Sequence, residues 1–377
     1  MSTVDVYPSA TANRFVEKQH MKILTSSLDL SHLLSPRPRT AQVTNWQNSR
    51  HFIVVTPDHK VFVVDTEGKS RFAMELPKSM QEEKLLDIHC HENFIAIVES
   101  RGLNGIVFRV DQNDWRLELF REDYHCSHCT WAIGFFKREE QVHLIHATQW
   151  NGLDVTCLEN SQCLTTRQID YDKELNYLDY FHSRLHMSPD EQHFVINGWI
   201  WSPYDVLYAW NIDGFLETFE SGYVDLSAFE RNGYNWDRPC CFVDNDTIAW
   251  GLNLREAGSD VAPDDQPTEL MFQNIHSKKV IRRMPFEHFD LTEEKEVSGR
   301  LWFDSKNDSF ICASNIGSPN RGPAAEQIAP TRGTTIVNSQ GKEIWRSPDT
   351  AEFVSTHEQV IGFMVDTGIK LVRYEAD

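Results

Sequence analysis

Seven times between Val43 and the C-terminus the chain repeats short apolar runs separated by polar turns, and this recurrence limits the fold more than any single motif. The clearest unit covers Ser188 to Phe219. Ser188, Pro189 and Asp190 form a turn signal, because Pro presets φ and Asp can bond its own backbone. His193 to Trp201 and Tyr204 to Asn211 are rich in aromatic and branched residues and read as strands. Asp213-Gly214 is a dipeptide favoured in tight hairpins. Four short antiparallel strands in about 40 residues is the size of one propeller blade.

The units begin near Val43, Leu85, Trp131, Leu185, Cys240, Leu301 and Phe353. The last stops one strand short, with only Glu352 to Ser355, Gln359 to Val365 and Ile369 to Glu375. A lone strand near the start, residues 20–25, has no local partner, while residues 1–19 are polar and read as loose. Deficit and surplus match. The fold expected is an all-β, single-domain, seven-bladed propeller over residues 1–377, closed by the N-terminal strand completing the last blade. Closure removes open sheet edges that would otherwise pair with other chains.

The segment Met187 to Gly198, MSPDEQHFVING, resembles the repeat element of TolB-type, WD40-like propellers, with Glu191 where that pattern usually has Gly. The resemblance covers one blade. The Gly-His and Trp-Asp hallmarks of true WD40 repeats are missing, and Trp236-Asp237 falls in an apparent loop. What the resemblance implies is a fold.

In a blade the strands alternate direction, so loops after strands two and four share one face. The long segments collect there: Ser26–Gln42, Arg121–Thr130, Ser221–Pro239, Asn253–Thr268, Pro285–Ser298 and Asn315–Arg332. Links after strands one and three are short and polar. Long loops gathered on one face suit a docking surface. Its candidate binding residues are Trp150, Trp201, Tyr204, Tyr234 and Trp236, with Arg255, Arg321 and Arg332. Aromatic side chains and Arg are the usual anchors of protein interfaces.

Chemical motifs are sparse. Cys126 and Cys129, flanked by His125 and His128, have zinc-like spacing, and His89-Cys90-His91 lies upstream. The fold places these two groups at opposite ends of strands ~17 Å long, too far apart to share an ion. No Gly-x-Ser-x-Gly elbow, phosphate loop or His-Glu-x-x-His is found. Asp179, His182 and His186, near the fourth innermost strand, are the first residues to check for chemistry at the channel mouth. No catalytic residue, metal ligand or cofactor is assigned.

The 36 basic and 56 acidic residues give a net charge of -20, which argues against nucleic acid or an anionic membrane as partner and permits a basic protein. The start lacks the basic and apolar regions of a signal peptide. Eight Cys scattered through strand-like segments fit a reducing cytoplasm. The expectation is a cytoplasmic, non-enzymatic, protein-binding propeller, one form of which is an immunity-type inhibitor of a basic partner. The alternatives are a hydrolase or lactonase-like propeller enzyme and a scaffold subunit of a larger complex.

Overall fold

The computed structural model describes residues 21–33, 42–45, 51–81, 84–112, 114–165, 178–201, 204–227, 236–253, 268–286, 300–314 and 333–376. The first strand, β1, is Met21–Asp29. Blade 1 is β2–β5 (Gln42–Asn45, His51–Val55, Lys60–Asp65, Ser70–Glu75). Blade 2 is β6–β9 (Leu86–His91, Phe94–Glu99, Asn104–Arg109, Arg116–Phe120). Blade 3 is β10–β13 (Ile133–Arg138, Gln141–Gln149, Gly152–Cys157, Gln162–Cys163). Blade 4 is β14–β17 (Leu185–Met187, His193–Ile200, Tyr204–Asn211, Val224–Asp225), with helix α1 (Ile212–Thr218) between its last two strands. Blade 5 is β18–β21 (Cys240–Phe242, Thr247–Asn253, Thr268–Asn274, Val280–Pro285). Blade 6 is β22–β25 (Arg300–Asp304, Ser309–Ser314, Gly333–Asn338, Glu343–Ser347). Blade 7 holds β26–β28 (Phe353–Ser355, Val360–Val365, Gly368–Ala376).

Each of the seven sheets has four antiparallel strands, and the seventh is completed by β1, in the order β1-β28-β27-β26. The pairing runs from Met21 against Ala376 to Asp29 against Gly368, and Leu30 adds a bond from its amide to the Thr367 carbonyl at 2.7 Å. The closing strand therefore runs on to Asp29, beyond the expected 20–25. Innermost strands touch in sequence around the ring: β26 with β2, then β6, β10, β14, β18 and β22. Arg300, at the start of β22, joins it to the approach of β26 by donating to the Glu352 carbonyl at 3.2 Å.

The core consists of the seams between blades. Ile53, Val61, Ile95 and Ile106 fill the first. One large cluster around Trp131, Phe136, Leu144, Phe194 and Trp210 joins blades 2, 3 and 4. Further clusters join blades 4 and 5, 5 and 6, and 6 and 7. Leu28, Phe52, Val54, Phe353 and Ile369 pack blade 7 onto blade 1 and complete the circle. Middle strands are thus covered on both sides, which is why Phe94–Glu99 is buried at every position. Outer strands such as Val280–Pro285 are largely exposed.

Blade 4 departs from the sequence reading in its third connection. Asp213-Gly214 does not make a hairpin. Asn211 Oδ1 accepts from the Gly214 amide at 3.1 Å and caps α1. The fourth strand comes later, within the segment that the sequence assigned to the long loop from Ser221. Glu191 adopts φ 59° where the repeat pattern has Gly. Its carboxylate pairs with His91 Nε2 at 2.9 Å and accepts from the Lys137 amide at 2.6 Å, tying blades 2, 3 and 4. Burial works against that charge, yet these bonds hold its pKa below the usual value.

A side chain at Gly368 would run into the Leu28 carbonyl, whereas one at Gly214 would meet only ordinary contacts near 4 Å. Gly368→Ala should therefore cost about 1–3 kcal/mol by prying at the closing pair. Gly214→Ala should be neutral or slightly stabilising. Urea unfolding of both variants checks this contrast.

Candidate docking face

The described strands that flank the long connections end on one face of the ring, and α1, between β16 and β17, lies on the opposite face. Residues 34–41, 254–267, 287–299 and 315–332 lie outside the described residues. So do Tyr234, Arg255, Arg321 and Arg332, and only the backbone of Tyr204 is described, in β16. Trp150, Trp201 and Trp236 are described, and they belong to one aromatic cluster.

The cluster is built on Phe181 and Trp199, whose rings stack at 3.7 Å and 4°. Their backbones exchange two hydrogen bonds, which set the register of the stack. Both are almost fully buried. Trp150 lies 4.5 Å from Phe181, and Trp201 and Trp236 each lie 5.3 Å from Trp199. Tyr124 reaches both Trp150 and Phe181, at 5.8 and 5.9 Å. His125 packs between Phe181 and Trp201. The rings facing solvent are Trp201, 49% exposed, and Tyr124, 44% exposed. A buried stack thus supports an exposed aromatic platform, and each ring pair adds about 1 kcal/mol beyond its area.

Buried polar groups hold the surrounding loops. Arg121 lies under the His125–Cys129 turn, donating to the Gly102, Cys126 and Cys129 carbonyls, with its guanidinium 5.0 Å above the Trp131 ring. Asp237 is a second anchor. One carboxylate oxygen accepts from the amide and hydroxyl of Thr130 at 3.0 and 2.8 Å. The other accepts from the Ser183 hydroxyl and, at 3.0 Å, the Arg184 amide. It thereby joins the approaches to blades 3, 4 and 5. Burial opposes its charge, but Arg184 and these donors keep its pKa below the usual carboxylate range. Next to it, Arg238 pairs with Asp205 at 2.7 Å, both buried. Trp236 donates to the His128 carbonyl at 2.5 Å, fixing its ring against Trp199.

The channel is bridged on this face. Arg300 of blade 6 reaches Asp87 of blade 2 at 3.1 Å. Burial and the nearby arginines shape this end: His89 is lowered to about 4 and His186 to about 3, so both stay neutral. The three residues picked for a chemical check do not converge. Asp179 is exposed, His182 is buried against Tyr180 and Trp210, and His186 sits on β14.

Nor does the Cys-x-x-Cys run gather ligands. Cys129 is buried, and its thiol is pushed up to about 12, while the carbonyls of Cys126 and Cys129 serve Arg121. His91, in the upstream group, is engaged by Glu191. All eight cysteines are free. Cys157 and Cys163 are offset by one register position and do not face each other across their hairpin.

No protein-family profile and no curated protein matches this chain. Solved structures do. Sqt1 of Saccharomyces cerevisiae is similar at 14% identity with a TM-score of 0.51, over 89% of this chain and 83% of that one. A chain of the mitotic checkpoint complex is similar at 10% identity with a TM-score of 0.52, over the full length of both. The architecture they share with this chain is the β-propeller, here of seven four-stranded blades. Among the described residues no helix is long and apolar enough to cross a membrane.

Asp237→Ala leaves four buried donors without an acceptor and should cost about 3–5 kcal/mol in urea unfolding. Because the native pKa of Asp237 is depressed, its stabilisation is complete above about pH 4 and fades as pH falls through the native value. The stability gap between wild type and Asp237→Asn should therefore narrow below about pH 4.

Proposed function

We propose that this chain is a non-enzymatic propeller that binds a protein partner on the face carrying the long loops. The observation that supports this reading is the pair of exposed rings, Tyr124 and Trp201, seated on the buried Phe181–Trp199 stack. Large exposed aromatic side chains held rigidly lose little entropy on binding and make strong anchors. Trp150 and Trp236 flank them. Tyr204, Tyr234, Arg255, Arg321 and Arg332 are proposed as further contacts on the surrounding loops.

The partner we favour presents basic side chains. Glu122, Asp123 and Asp179 are exposed around Tyr124 and Phe181, and the chain carries a net charge of -20. Arg or Lys from a partner would gain both ring faces and carboxylates there. An inhibitor of the immunity type, capping a basic protein in the cytoplasm, is one form that fits this charge.

Affinity capture with wild-type protein and with Tyr124→Ala/Trp201→Ala provides the test, followed by titration of each specific partner. The double variant should weaken binding by about 30-fold or more, as loss of an interface anchor does. Its melting temperature should fall by about a few degrees, since both rings are half exposed yet lose their contacts with Phe181 and Trp199, while the folded circular dichroism spectrum is kept. Phe72→Ala, on an outer strand away from this face, should bind normally. Partners retained equally by all three proteins would overturn the assignment.

A further inference from the structure

On the opposite face, three metal-type donors meet at the seam between blades 4 and 5. His193 opens β15, Asp246 lies in the β18–β19 turn and His276 in the β20–β21 turn. One ligand atom from each lies within 4.8 Å of the other two, the one such group among the described residues. His276 Nε2 is 2.9 Å from Asp246 Oδ1, and the two imidazoles sit 5.0 Å apart at 80°. The backbone enforces this meeting. The Ile275 amide donates to the Asp246 carbonyl at 2.9 Å, locking the two turns together. The His193 amide is held by Ser188 Oγ at 2.9 Å. One ring nitrogen of His193 meets Asn211 Nδ2 at 3.2 Å, while Nδ1 is buried with no hydrogen-bond partner among the described residues. Asn211 Nδ2 can only donate, so Nε2 accepts and Nδ1 carries the proton; ligation through Nδ1 requires that proton to move to Nε2 and Asn211 to turn away.

We infer that this seam binds a divalent transition-metal ion of the zinc class through His193, Asp246 and His276. Two imidazoles and a carboxylate form a recognised zinc donor set, with water in the fourth position. Donors around a tetrahedral zinc lie about 3.4 Å apart, given bonds of about 2.1 Å. The present spacing reaches that by side-chain rotation, since Asp246 and His276 are exposed. The ion would clamp the turns of two neighbouring blades on the face away from the proposed docking surface. It calls for no redox step.

The test is calorimetric titration of the chelator-stripped full chain with zinc chloride, and of Co2+ by absorption. The expected result is one equivalent bound, the intense visible bands of low-coordinate Co2+, and a zinc-dependent rise in melting temperature. His276→Ala changes an exposed turn residue and should fold normally. It should lose at least about tenfold in affinity, since even outer-shell losses cost that much, and it should lose the melting shift. His128→Ala, in the Cys-x-x-Cys loop, should bind as wild type does. The inference is overturned by an absence of saturable binding. It is equally overturned by one equivalent that survives both His276→Ala and Asp246→Ala, or that disappears with His128→Ala.

Discussion

The antiparallel pairing of β1 with β28 is the constraint on which the rest depends. A ring of blades has no terminal sheet only if the last blade is completed by a strand from the other end of the chain. Here that strand contributes Leu28, which packs with Phe52 of blade 1 and Phe353 of blade 7. The closing strand thus gives blade 7 both its fourth strand and part of the seam to blade 1. Without it, β28 would expose a row of unpaired backbone groups, a template for association with other chains. It also joins residues far apart in sequence, so its loop-closure cost is met only when the whole ring forms.

Closure fixes which loops share a face, and buried polar pins then fix how those loops stand. Asp237 gathers the approaches to three blades, Arg121 is enclosed by the His125–Cys129 turn, and Arg300 crosses the channel to Asp87. None is a surface ion pair of the weak kind. Each satisfies backbone or charged groups that burial would otherwise leave without partners. The aromatic platform inherits this rigidity, because Trp236 is held by the His128 carbonyl and Phe181 by the backbone of Trp199. A surface ordered before binding pays less on binding. The acidic groups beside it add a bias in charge rather than a separate site.

The ring was legible because strands can be counted even where their boundaries are vague. The surplus strand at the start and the deficit at the end survive errors of a few residues at each boundary. Blade 4 shows what a local reading misses. Asp213-Gly214 carries hairpin chemistry, but Asn211 before it offers a helix cap, and the cap prevailed. Glu191 stands in a left-handed turn without being Gly, and its reason is a carboxylate received by two other blades, which no local pattern records. On the face proposed for docking, Trp150, Trp201 and Trp236 stand out in the sequence because long loops and aromatic residues coincide, and the structure gathers them in one aromatic cluster. Tyr124, which joins the same cluster, is masked in the sequence by the Cys and His residues that follow it. Phe181 and Trp199, the base of the platform, read as ordinary strand residues; only tertiary contact makes them a support.

Hydrogen exchange across the closing sheet tests the account most directly. If β1 completes the ring, the amides from Met21 to Asp29 that bond to β28 should exchange with protection comparable to those of β27 and β28, because all three open only when the ring does. Amides of β1 that exchange within seconds, while β27 and β28 stay protected, would contradict the closure and with it the basis of the proposed docking face.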